Sequence, residues 1–141
     1  RRQRQMCIRD SSYTGNALAC RAALASLDIF RDDEVIADNQ LLAQHMAKQA
    51  ERFQAHPHIA EVRQTGMILA LELVQDKARQ IAYPWQQRRG LQVYQYALSK
   101  GVMLRPLGNV IYFMPPYVIS PEEIDLMMDV AWQGIEQAVG A

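Results

Sequence analysis

The sequence predicts an α+β fold, a small and mainly antiparallel sheet covered by helices. Three observations predict it. Two extended runs, Ile59 to Gln64 and Met67 to Val74, are separated only by Thr65-Gly66. Two shorter runs, Val102 to Leu104 and Val110 to Met114, flank the turn-rich stretch Arg105-Pro106-Leu107-Gly108-Asn109. Segments with helical periodicity stand before, between and after these pairs.

The first helix is expected from Ala17 to Phe30, a stretch rich in the strong helix formers Ala and Leu. Asn16 or Thr14 can cap its start by accepting a bond from an unpaired backbone N–H. Small residues line most of its circumference, as in a helix packed closely on several sides. Asp32 and Asp33 then cap a second helix reaching to about Ala55, with Val35, Leu42, Met46 and Phe53 on its apolar stripe. Gln40, Gln44, Lys48 and Glu51 face water on the other side. His56-Pro57-His58 ends it, because the residue before Pro disfavours the α region.

In the first strand pair, Gly66 suggests a bulge or tight bend. Met67 to Val74 is apolar nearly throughout apart from Glu72, which suits a central strand. Asp76 to Tyr83 reads as a surface connection. Pro84 opens a third helix, where its missing N–H costs nothing. Leu91, Tyr94 and Leu98 mark the inner face of that helix. Gly101 suits the left-handed position past its end. Val102 to Leu104 and Val110 to Met114 form the second pair, closed by Pro115-Pro116. Ser120-Pro121-Glu122-Glu123 is a capping box with Pro at the first helical position. The helix that follows buries Ile124, Met127 or Met128, Ala131 and Ile135.

Composition narrows the function. A chain of 141 residues is the size of one domain. Half of it is apolar and 21% is charged, which excludes a disordered chain. Fifteen basic residues balance fifteen acidic ones, so no global field draws nucleic acid or an anionic membrane. The longest apolar runs, such as Met67 to Leu71, fall far short of the roughly 20 residues of a membrane span. Cys7 and Cys20 cannot build a disulfide framework, and a soluble cytoplasmic protein is expected. Residues 1–11, opening RRQRQMCIRD, read as a non-native or junction segment, with a basic phosphate-gripping arm as the alternative.

Few residues carry chemistry. Arg105 stands between the apolar run Val102-Met103-Leu104 and Pro106, in a stretch expected to turn at Gly108. Its guanidinium matches a carboxylate or phosphate in two parallel bonds, unless an internal salt bridge with Glu72 takes it. Tyr112, on the neighbouring strand, either packs in the core or points its hydroxyl into the same pocket. Ser12, Thr14 and Gly15 lead into a helix, which caps that helix or offers a phosphate its N–H groups. His45, His56 and His58 lack a metal-ligand spacing and no acid cluster supports them. Cys20 reads as a small buried hydrophobe. Tyr83 and Trp85 beside Arg88 and Arg89 hint at base stacking, but a single cluster in a neutral chain is weak support for it.

The motifs also have a familiar order. Ser12-Tyr13-Thr14-Gly15-Asn16, with Leu18-Ala19-Cys20 and an Ala-rich helix, resembles a segment of the class III, PLP-dependent aminotransferases. The run Gly101 to Tyr117, with Arg105-Pro106-Leu107-Gly108 and Tyr112-Phe113-Met114-Pro115-Pro116-Tyr117, is similar to one branch of that class, the adenosylmethionine–8-amino-7-oxononanoate aminotransferases. Tyr83 to Gly90 resembles the same branch.

The resemblance implies a fold-type I enzyme. Residues 12–33 would be its bridging helix region and residues 34–141 its C-terminal small domain, within a homodimer. It implies pyridoxal 5'-phosphate as cofactor, with Ser12 binding the phosphate across the dimer. It implies Arg105 as the partner of the keto-acid carboxylate and Tyr112 as a wall of the substrate pocket. The substrates implied are S-adenosylmethionine and 8-amino-7-oxononanoate, and the product is a diamine of biotin biosynthesis. An ω-amino-acid or diamine aminotransferase of the same class, or a non-catalytic binding domain, are the alternatives. The class carries its Schiff-base lysine and its pyridine-pairing aspartate ahead of the Ser12 motif. Lys48, Lys77 and Lys100 sit in helix or loop contexts that do not replace that lysine, so this stretch alone is expected to be inactive.

Overall fold

The computed structural model describes residues 16–140. Ser12, Tyr13, Thr14, Gly15 and the 1–11 segment lie outside the described residues, so the phosphate and junction expectations are carried by the sequence only. The chain divides into two compact units between Ile36 and Ala37, where its length suggested one domain.

In the first unit, α1 (Ala17–Asp32) starts at Asn16, whose side chain accepts the Ala19 N–H at 3.1 Å. None of its residues is buried, and Leu18, Leu24 and Leu27 are exposed. Packing on several sides is therefore absent among the described residues; local propensity and the cap account for the helix. Cys20 is exposed too, not the buried hydrophobe expected.

The second unit is built on a sheet. Its elements are α2 (Val35–Gln54), which crosses the division, then β1 (Ile59–Thr65), β2 (Ile68–Asp76) and β3 (Ile81–Ala82). A single 3-10 turn (Trp85–Gln87), α3 (Arg89–Ser99), β4 (Arg105–Leu107), β5 (Val110–Phe113) and α4 (Pro121–Val139) complete it. The strand order is β1-β2-β5-β4, antiparallel throughout, and β3 pairs with the far end of β2. β2 is central, as its apolar sequence predicts.

Both hairpins close through two-residue turns with glycine first. Gly66 (φ +54°) precedes Met67 between the paired Thr65 and Ile68. Gly108 (φ +62°) precedes Asn109 between the paired Leu107 and Val110. Glycine at the first central position with positive φ is the pattern of a type II′ turn, whose twist matches that of the strands. Of the bulge or tight bend expected at Gly66, the tight bend forms, and β1 carries its register shift between Ile59 and Glu61.

Alternation splits the sheet into two faces. Leu69, Leu71, Leu73, Ile111 and Phe113 point inward and are fully buried. They meet Met46, Ala50 and Phe53 of α2, Val93 and Ala97 of α3, and Ile124, Met128, Ala131 and Ile135 of α4. Each large side chain buried in this cluster contributes about 1.5–3 kcal/mol relative to its exposed state. The opposite face carries Glu61, Arg63, Ile68, Arg105 and Leu107, all exposed.

The helices mostly follow their sequence signals, with two differences. α3 begins at Arg89, because Pro84 opens the 3-10 turn and Arg88 (φ +49°) breaks the path. Its buried residues are Gly90, Val93 and Ala97, so the inner face is rotated by about one residue and Leu98 is exposed. The end of α3 behaves as its glycine predicts. Gly101 (φ +79°) donates to Leu98 O and Val102 to Ala97 O, the two bonds of a Schellman motif. The Ser120–Glu123 capping box forms in both directions, at 3.2 and 2.9 Å.

Candidate functional site

Arg105 lies on β4 itself, not in the bend where the sequence placed it. The reason is the Gly108-Asn109 turn, which is tight enough to bring Leu107 into pairing with Val110. Val102 to Leu104 forms no strand, since the Val102 N–H closes the end of α3. β4 tolerates Pro106 because it is an edge strand with no ladder partner on its outer side.

Tyr112 is the cross-strand partner of Arg105. Register extends the row across the sheet, as Tyr112 pairs with Ala70 and Ala70 with Arg63. One row of the open face therefore runs Arg63, Ala70, Tyr112, Arg105. Two guanidiniums stand at its ends, three strand spacings or about 14 Å apart at the backbone.

Their environments differ. Arg63 Nη1 donates to Glu61 Oε2 at 2.6 Å and to Glu72 Oε2 at 2.9 Å. The hydrogen bond to Glu61, then that to Glu72, pushes its pKa above the ordinary arginine value. Arg105 is exposed and has no ion-pair or hydrogen-bond partner among the described residues. The internal salt bridge with Glu72, weighed from the sequence, is thus not formed. Arg105 is exposed although Leu104 beside it is buried. A guanidinium with five unused donors in a planar fork is suited to a carboxylate.

Arg105 stands at the junction of two grooves. One, of about 370 Å³, runs along the edge of β4 between Tyr94, Met103, Pro106 and Tyr112. Tyr112 is half-buried, and its hydroxyl has no hydrogen-bond partner among the described residues. The other, of about 490 Å³, is mostly apolar, with Met103, Met114, Pro116, Ile119 and Leu126 in its wall. A cation beside an apolar channel accommodates a carboxylate that ends an aliphatic chain. Tyr94 was missed as a site residue, because its helical spacing reads as core. It is half-buried on the groove side of α3, and no local signal marks it.

The remaining candidates lie elsewhere. His45 Nε2 stands 2.7 Å from Asp125 Oδ1, and His56 Nε2 stands 3.0 Å from Glu136 Oε1. His58 Nδ1 meets Val74 O and the Tyr83 hydroxyl, each at 3.1 Å. Among the described residues no group of three or more His, Cys, Asp or Glu is arranged to hold a metal ion. Burial pushes the Tyr83 phenol above its ordinary pKa, against the opposing pull of Arg89. No helix of the described residues is long and apolar enough to cross a membrane.

None of the three lysines lines either groove. Lys77 Nζ donates to the Gln54 and His56 carbonyls, and Lys100 Nζ lies 5.6 Å from the Tyr96 ring centre. Among the described residues no lysine amine therefore stands beside Arg105 in either groove.

Residues 4–135 match the family model of the class-III aminotransferases. The chain is 40% identical over 128 residues to an adenosylmethionine-8-amino-7-oxononanoate aminotransferase of Geobacter sulfurreducens, covering 91% of this chain and 27% of that protein. It is 28% identical over 131 residues to a putrescine–pyruvate aminotransferase of Pseudomonas aeruginosa, covering 92% of this chain and 28% of that protein. The crystal structure of the adenosylmethionine-8-amino-7-oxononanoate aminotransferase of Methanocaldococcus jannaschii superimposes with a TM-score of 0.86 at 36% identity, covering 90% of this chain and 29% of that one. The chain thus spans about a quarter of the length of the curated relatives it matches.

Proposed function

The chain belongs to the class-III aminotransferases, and from that premise we propose that it supplies the acceptor-carboxylate subsite of an amino-transferring enzyme. The acceptor is 8-amino-7-oxononanoate and the donor S-adenosylmethionine, as in the branch that the 40% identical relative represents. Residues 12–33 are the bridging region and residues 34–141 the small domain of that enzyme, a cytoplasmic homodimer.

The observation that carries this reading is the uncommitted guanidinium of Arg105, facing Tyr112 at the mouth of an apolar groove. Arg105 binds the carboxylate through two parallel N–H bonds and so orients the acceptor along the groove. Tyr112 walls the pocket beside it and sets the lateral position of the chain. The apolar lining excludes water from the methylenes between the carboxylate and the reacting carbonyl. Holding the acceptor in one pose lowers the entropic part of the barrier.

Pyridoxal phosphate, when bound, supplies the electron sink for amino transfer. Ser12, whose motif resembles the phosphate-binding segment of the class, would hold the phosphate of that cofactor through its hydroxyl. The covalent lysine comes from elsewhere in the protein, since Lys77 and Lys100 are otherwise engaged and Lys48 is exposed on α2. This stretch alone is inactive.

Replacing Arg105 by Ala in the complete polypeptide tests the reading. KM for 8-amino-7-oxononanoate should rise at least tenfold, the scale of a charge-assisted pair. An unchanged KM refutes it. The acceptor panel should include pyruvate, named for the Pseudomonas aeruginosa relative. Preference for pyruvate would transfer the assignment to that branch.

A further inference from the structure

We propose that Gly90 is a positioning residue, whose missing side chain lets the first turn of α3 sit against the β4–β5 turn and sets where Arg105 is held. The proposal rests on the reading of Arg105 as the carboxylate subsite.

β4 is a three-residue edge strand, and its Pro106 has no N–H to give a ladder. Pairing with β5 alone leaves such a strand weakly located. The turn that ends it is fixed from three sides. The Leu73 N–H donates to Asn109 O at 2.8 Å, which ties the turn to the central strand. Asn109 Nδ2 donates to Tyr83 O at 2.8 Å, which ties it to the segment ahead of α3. Gly90 supplies the third contact, since a Cβ there would overlap the Gly108 carbonyl oxygen and lie 3.5 Å from Pro106 Cβ. The obstacle is backbone, not the movable end of a side chain. Any larger residue at 90 must push the turn away from α3. Arg105 is three residues from Gly108 along a stiff extended strand, so the displacement reaches it.

Gly134 serves as a control. A Cβ there would meet Tyr96 Cδ1 at 3.1 Å and Val93 Cγ1 at 3.2 Å, with the nearest backbone atom, Val93 O, at 3.4 Å, and no atom of the β4–β5 turn among them. It therefore perturbs the packing of α3 on α4 without touching the turn.

The experiment is a double-mutant cycle in the complete, cofactor-loaded polypeptide. Gly90→Ala should raise KM for the keto-acid acceptor about tenfold while kcat changes less than about threefold. Gly134→Ala should leave that KM within about twofold. In the Arg105→Ala background, Gly90→Ala should raise KM no further, because it acts through Arg105. In the 141-residue chain, Gly90→Ala should move the backbone amide resonances of residues 105 and 107–112, and Gly134→Ala should leave them in place. Additive KM effects, or unmoved resonances, overturn the role of Gly90. If Arg105→Ala itself leaves KM unchanged, the carboxylate reading has failed instead, while the resonances still report on Gly90. Should Gly90→Ala not fold, Asn109→Ala removes the bond to Tyr83 and enters the same cycle with the same two outcomes.

Discussion

Arg105 and Tyr112 are directly paired across β4 and β5, on the sheet face opposite the hydrophobic core. In the same row Arg63 is held by two carboxylates, at 2.6 and 2.9 Å. Of the two guanidiniums in that row, only that of Arg105 has no acidic partner among the described residues, and its place is set by strand register.

Arg105→Lys should cost about 1.5–3 kcal/mol of acceptor recognition, because an ammonium cannot reproduce the bidentate fork. Its effect on folding should stay within about 0.5 kcal/mol, since the side chain is exposed and has no partner among the described residues. Arg63→Ala should leave acceptor KM within about twofold, as that charge is already taken up by Glu61 and Glu72. Steady-state kinetics beside urea unfolding separate these outcomes. A stability loss at Arg105 as large as its binding loss would make it a structural residue.

Three acid–base contacts run in step between the α2 side and α4: His45 with Asp125, Arg52 with Asp129, and His56 with Glu136. They are not equivalent. The His56 side chain is only 2% exposed, and its Nδ1 accepts the His58 N–H at 3.1 Å, so Nε2 carries the proton toward Glu136. His56→Ala should destabilise by about 1–3 kcal/mol, since it empties a buried site and takes the acceptor from the part-buried His58 N–H. His45→Ala, at a half-exposed contact, should cost at most about 1 kcal/mol. Urea midpoints measured on both variants check this order, and a reversed order refutes it.

Tyr83 predicts an alkaline limb of stability. Burial raises its pKa in the fold above the unfolded value, so the unfolded chain releases the phenolic proton first. Its contribution is therefore complete below about pH 10 and is lost as pH rises toward the folded pKa. Tyr83→Phe should flatten the decline of the unfolding midpoint from pH 9 upward. It should also lower stability at neutral pH by about 0.5–1.5 kcal/mol through loss of the bond to His58. An equally steep alkaline decline in the variant would assign it to another group.

Pyridoxal phosphate added to the 141-residue chain should give no stoichiometric borohydride-reducible adduct at any one lysine. Lys77 is hydrogen-bonded to carbonyls and Lys100 lies over Tyr96, and neither lines a groove beside Arg105. Mass spectrometry after reduction reads this directly. A single fully labelled lysine would overturn the inactivity of the chain alone.

The sequence by itself determined the order of the helices and of the two strand pairs, the central place of β2 and the bends at Gly66 and Gly108. But it read β3 as a surface connection and put the strand before Gly108 at Val102 to Leu104 instead of Arg105–Leu107. It also determined the capping box at Ser120 and the Schellman end at Gly101. These are local or periodic effects, set by backbone conformation and by alternation within one segment. It marked Arg105 and Tyr112 through residue type and motif. It could not tell whether Arg105 was bound to Glu72, because that depends on which strands become neighbours. Only the tertiary structure gave Glu72 to Arg63, rotated the buried face of α3 to Gly90, Val93 and Ala97, and brought Tyr94 to the groove. Those outcomes follow from register and close packing between segments far apart in the chain, where a one-residue shift changes every partner.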